Sequence, residues 1–134
     1  MEAAMKLTRQ VYLLPIDVTV ISFDPLYLVS HFQKYFQHTG QPQRTKFIAR
    51  YLSYHGNTLG ALSVASHPGR RGPYEAILDH EHFHHVSPAY AKRFQREGET
   101  EDEYVARLAK ELDDKFTELG PDTVIACKSY LHMN

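Results

Sequence analysis

With 134 residues the chain is long enough to bury one modest core and has no need of a second domain. Fifteen lysines and arginines stand against 16 aspartates and glutamates, a net charge of −1, which leaves no basic arm for nucleic acid and no charge attraction to a membrane surface. The single cysteine, Cys127, excludes an intramolecular disulfide framework and fits a reducing compartment such as the cytoplasm or the mitochondrion; no targeting signal opens the chain.

Glu2 to Gln10 contains no Gly or Pro and carries its acid in the first turn, so it is predicted as a helix. From Val11 the chain turns apolar and β-branched. A membrane span there is excluded by Asp17, Asp24, Pro15 and Pro25, because a span needs about 20 predominantly apolar residues. Alternation predicts a strand over Asp17–Phe23, and Thr39-Gly40-Gln41-Pro42 predicts a turn. Lys46–Leu52 reads as a short strand. After it, Asn57 or Thr58 caps a helix predicted to run to about Ala65. His67–Pro73 is predicted as a loop and Ala76–Tyr90 as irregular with a short strand at most. Thr100-Glu101-Asp102-Glu103 is a capping box that opens a helix with the apolar stripe Val105, Leu108, Leu112, Phe116 and Leu119. Gly120 and Pro121 stop it, and Thr123–Cys127 begins a buried strand. The architecture implied is α/β.

The stretch Ser53-Tyr54-His55-Gly56 sits where the strand hands over to the helix, the place where open α/β sheets bind their ligands. A flat tyrosine ring there suits a planar, conjugated cofactor. This aromatic-His-Gly motif resembles that of the class III, fold type I, pyridoxal-phosphate-dependent aminotransferases. Met1–Arg9 is similar to the helix that follows the family's phosphate-binding Gly-Ser turn, and His84–Tyr90 and Glu97–Ala126 resemble further parts of it. The resemblance implies a piece of the family's large domain: helices against a small, mostly parallel sheet. Pyridoxal phosphate is the implied cofactor, with Tyr54 stacking on its ring and His55 and Gly56 completing the motif. Intact relatives move an amino group from an amine or amino acid donor to a keto acid, usually as homodimers.

Two departures mark this chain within that pattern. Residues 11–33 form a segment foreign to the family, inserted into an incomplete large domain over 1–126, and residues 127–134 form a divergent tail. Both have a composition compatible with translated intron sequence. Every valine codon begins with GT, Gln33 can be encoded by CAG, and Cys127-Lys128-Ser129 can be written TGT-AAG-T, which embeds GTAAGT. A genuine insertion and a short variant tail are the alternative. The family's phosphate turn and its cofactor-holding lysine have no counterpart among these residues, so no catalytic residue is assigned and the chain as written is expected to be inactive.

The rival signal is the run Asp79-His80-Glu81-His82-Phe83-His84-His85. On a strand, His80, His82 and His84 would share one face, and imidazoles suit zinc, copper or nickel. That would make the chain a small, non-enzymatic, histidine-rich metal-binding domain. The spacing matches no established zinc pattern, so no metal ligand is assigned. Arg70 and Arg71 could meet a carboxylate or phosphate, although an exposed basic pair in a loop is usually just solvated.

Overall fold

The computed structural model of the protein describes residues 25–128. The helix expected over Glu2–Gln10 and the strand over Asp17–Phe23 lie outside these residues, as does the tail from 129. The first element is helix α1, Pro25–His38. It runs without a break across position 33, so the boundary expected there from the sequence is not an end of secondary structure. Strand β1, Lys46–Arg50, follows after the turn at Thr39–Pro42, and then helix α2, Leu59–Val64. The predicted loop at 67–73 holds a short helix, α3 (Pro68–Arg71), continued by a 3₁₀ stretch over Gly72–Ile77. Pro68 at the first position of one and Pro73 at the second of the other suit both starts, since proline fixes φ and spares a hydrogen-bond donor that would be unmatched anyway. Strand β2 is Phe83–Val86, α4 is the single turn Ala91–Phe94, α5 is Glu101–Leu119 and β3 is Val124–Lys128.

The three strands form one parallel sheet in the order β2-β1-β3. Parallel sheets are covered on both faces, because the crossovers that join their strands are helices. The alternation of β1 shows how this is done here. Phe47 and Ala49 face a cluster with Val64 of α2 and Phe83, joined by Phe32 of α1, Ile125 and Ala126. Ile48 faces the other way, into Val86, Leu119 and Val124, with Leu112 and Phe116 of α5 packed behind. Phe47 and Phe83 are register partners, and their rings stack at 5.4 Å. In β3 the register against β1 slips by one residue, which leaves Ile125 and Ala126 on the same face.

Helix α5 begins at the predicted capping box: the Glu103 amide donates to Thr100 Oγ1 at 3.3 Å, and the Thr100 amide donates to Glu103 Oε2 at 2.8 Å. Its end is also as predicted, at Gly120 with φ of +84°, followed by Pro121. The predicted stripe needs one correction. Val105 is 57% exposed, and the buried residue in that turn is Tyr104. The Tyr104 hydroxyl donates to the Pro88 carbonyl at 2.7 Å and accepts from the Tyr90 amide at 3.1 Å, so a polar tip holds this ring inward. Together with Ser87, whose amide and hydroxyl both donate to Glu111, these bonds tie the segment after β2 to α5.

Candidate functional site

β1 is the central strand, and its carboxyl end is where the chain turns towards β2; the chain then returns past β1 to β3. Ligands of open α/β sheets bind outside carboxyl strand ends at such reversals. Regular pairing ends at Arg50, two residues short of the predicted boundary, although the Tyr51 amide still donates to the Val86 carbonyl at 2.8 Å. The cause is Leu52, which has φ of +62° and turns the chain out of the sheet. Ser53 Oγ closes this turn by donating to the Arg50 carbonyl at 2.6 Å.

The three residues of the motif then diverge. Tyr54 stands outward, 53% exposed, whereas His55 is buried. Gly56 has φ of +121°, and a Cβ at that position would lie 3.1 Å from the Ala61 Cβ. The glycine is therefore required by the tight entry into α2, independently of any ligand. Of the two possible caps, Thr58 is the one used, its Oγ1 accepting from the Ala61 amide at 3.2 Å. Gly60, Ala61, Leu62, Ser63 and Val64 are all buried, so α2 sits close against the sheet and fixes the turn that presents Tyr54.

The basic pair separates into two roles that its sequence does not distinguish. Arg71 is buried, donates to the Ala65 carbonyl at 2.8 Å and pairs with Glu75 at 3.2 Å. Arg70 is exposed, and its guanidinium carbon lies 4.7 Å from the Tyr54 ring centroid. Sequence reasoning missed this contact, since nothing local links residues so far apart along the chain.

The histidines do not converge. Only Phe83–Val86 is strand, so the alternation that would align His80, His82 and His84 does not extend to the first two. His80 Nε2 contacts the Glu75 carbonyl at 3.0 Å, and His82 Nδ1 contacts Asp79 Oδ2 at 2.9 Å. Burial works to raise the Asp79 carboxyl, but hydrogen bonds from the His82 amide and ring outweigh it and hold the group below its usual range. His84 is pushed down by burial and then by the nearby Lys46 and Lys115 charges. His85, pushed down chiefly by burial, lies within hydrogen-bond distance of the Val64 carbonyl at 2.9 Å. Among the described residues no group of three or more His, Cys, Asp or Glu side chains is placed to hold a metal ion. Burial raises the Cys127 thiol, which keeps it protonated rather than reactive. Among the described residues, no helix is long and apolar enough to cross a membrane.

No protein-family model matches the chain. It is 45% identical over 126 residues, 94% of its length, to an aminotransferase of Gibberella zeae, and 50% identical over 93 residues, 69% of its length, to an uncharacterized aminotransferase of Schizosaccharomyces pombe. An omega transaminase from Pseudomonas jessenii, solved as a thermostable four-fold mutant, superposes on 75% of the chain with a TM-score of 0.71 and 33% identity. The chain belongs to the class III aminotransferases. It spans 20% of the length of both fungal relatives and 22% of the P. jessenii enzyme. As a class III aminotransferase segment it keeps part of that fold, the three-stranded parallel sheet with its flanking helices.

Proposed function

We propose that this segment supplies one wall of a pyridoxal-phosphate site, with Tyr54 as the surface for the cofactor ring. The observation that carries this reading is the half-exposed Tyr54 ring beside the carboxyl end of the central parallel strand, with a planar cation already seated on it. The guanidinium of Arg70 is flat and positively charged, like a protonated pyridine, and its place 4.7 Å from the ring centroid supports reading Tyr54 as a face for that kind of group. The fit concerns the ring alone, because the residues similar to the helix after the phosphate turn lie outside those described.

When bound, pyridoxal phosphate acts as an electron sink for the substrate carbon that bears the amino group. The chain's own residues orient and shield. Tyr54 offers an aromatic face that favours an offset or edge contact. The buried His55 and the Gly56 turn hold Tyr54 between β1 and α2. On this reading the complete protein transfers an amino group from an amine or amino acid to a keto acid as a homodimer. Lys46 donates to the Leu119 carbonyl at the opposite end of β1, Lys110 pairs with Asp114 and Lys115 pairs with Glu118. These pairings leave none of the three assigned as a lysine that serves a cofactor beside Tyr54.

Titrating pyridoxal phosphate into the chain and following tyrosine emission tests the reading. Saturable quenching is expected, with Tyr54→Ala weakening the affinity by about five- to tenfold, the worth of one aromatic contact. Quenching that Tyr54→Ala leaves unchanged would remove Tyr54 from the site.

A further inference from the structure

We propose that Arg70 is an anion-binding residue of the Tyr54 site: in the free chain it covers the ring, and it leaves the ring to pair with an oxyanion carried by a flat ligand. The inference rests on the reading of Tyr54 as a ring-binding surface and adds what the neighbouring charge recognises.

Three observations lead to it. Arg70 and Arg71 are adjacent in the same short helix, yet only Arg71 is used by the fold, in a buried position with Ala65 and Glu75 as partners. Arg70 makes no ion pair among the described residues, and its guanidinium donors have no acceptor there. Its guanidinium lies instead over an aromatic ring that is itself half-exposed. A guanidinium carries five donors in a planar fork that matches a carboxylate or phosphate in two parallel bonds.

The relative strengths decide where Arg70 goes. A cation over an exposed tyrosine is held weakly, whereas a bidentate charge-assisted pair with an oxyanion is among the stronger polar contacts. A flat ligand bearing an oxyanion therefore replaces the guanidinium on Tyr54 and gives it a better partner at once. A flat ligand without an anion must displace Arg70 and offers it nothing in return. Arg70 thus discriminates between the two, and it does so from outside the packed core, where substitution leaves the fold intact.

Two ligand pairs separate the sources of the oxyanion. Pyridoxal phosphate against pyridoxal isolates the phosphate, and isonicotinate against isonicotinamide isolates a carboxylate. Dissociation constants for all four are measured by calorimetry on the 134-residue chain, on Arg70→Gln and Arg70→Lys, and on Tyr54→Ala, with circular dichroism confirming that each variant is folded. For wild type, pyridoxal phosphate is expected to bind about tenfold more tightly than pyridoxal, the gain of a charge-assisted hydrogen bond. Arg70→Gln should abolish that preference without weakening pyridoxal, and Arg70→Lys should keep part of it. The same pattern confined to the isonicotinate pair would assign Arg70 to a substrate carboxylate. If both preferences survive Arg70→Gln while Tyr54→Ala weakens pyridoxal, the inference about Arg70 is wrong and the Tyr54 reading stands. If none of the four binds wild type, both fall together.

Discussion

Two positions in the turn after β1 have positive φ, Leu52 at +62° and Gly56 at +121°. A left-handed conformation costs a leucine about 1 kcal/mol or more, and asparagine tolerates it better. Leu52 is 43% exposed, so little burial is lost on replacing it. Leu52→Asn is expected to stabilise the chain by about 0.5–1 kcal/mol, read as a higher urea midpoint. A midpoint that falls would mean that the leucine side chain matters more than its backbone. Gly56→Ala should act in the opposite sense, costing about 1–3 kcal/mol, because it adds strain at φ of +121° and a contact of 3.1 Å with Ala61. An unchanged midpoint for Gly56→Ala would contradict the tight junction described. The motif's tyrosine and glycine were legible in the sequence, but their reasons were not equally so. The glycine is required by the entry into α2, and the strained leucine two residues before Tyr54 carries no turn signal of its own.

Among the elements, α5 was the most legible, since its start and stop depend on neighbouring residues. Thr100→Ala removes the acceptor for the Glu103 amide and should cost about 1 kcal/mol in urea unfolding; a cost near zero would show that the cap is idle. The stripe was legible only in part. Periodicity alone ranks Val105 with Leu108, but the bonds of the Tyr104 hydroxyl to Pro88 and Tyr90 turn Tyr104 inward in place of Val105, while Leu108 and Leu119 stay buried as predicted. Strand β2 was the least legible, because the histidines that fill it have no strong strand preference and its pairing is with a distant segment. It sets the pH response. Folding holds His84 and His85 below their usual pKa, so the unfolded chain binds protons that the folded chain refuses. Stability is therefore complete above the ordinary histidine range and is lost as the pH falls through it. The urea midpoint should fall between about pH 7.5 and pH 5.5, and His85→Gln should flatten the slope. A slope that His85→Gln leaves unchanged would place the linkage elsewhere. A second loss belongs to carboxylates held low in the folded state. Glu99 is lowered to about 2 by its hydrogen bonds with Arg107, and Glu103 is lowered by Thr100. Their contribution is present above the ordinary carboxylate range and disappears on acidification below it.

For the whole molecule, the sheet order was not readable from the chain itself. β1 pairs with a strand on each side, and which neighbour lies where depends on α2 covering one face and α5 the other. What the sequence did carry was the family motif, and the likeness to the two fungal aminotransferases and to the P. jessenii fold supports that reading. The account's central claim is that Tyr54, at the carboxyl end of the central strand, is the surface for the cofactor ring. The most direct measurement is nuclear Overhauser spectroscopy on the 134-residue chain with pyridoxal phosphate added in excess. The account predicts transfer between the ligand's ring methyl protons and the Tyr54 ring protons. Transfer confined to other tyrosines would contradict it.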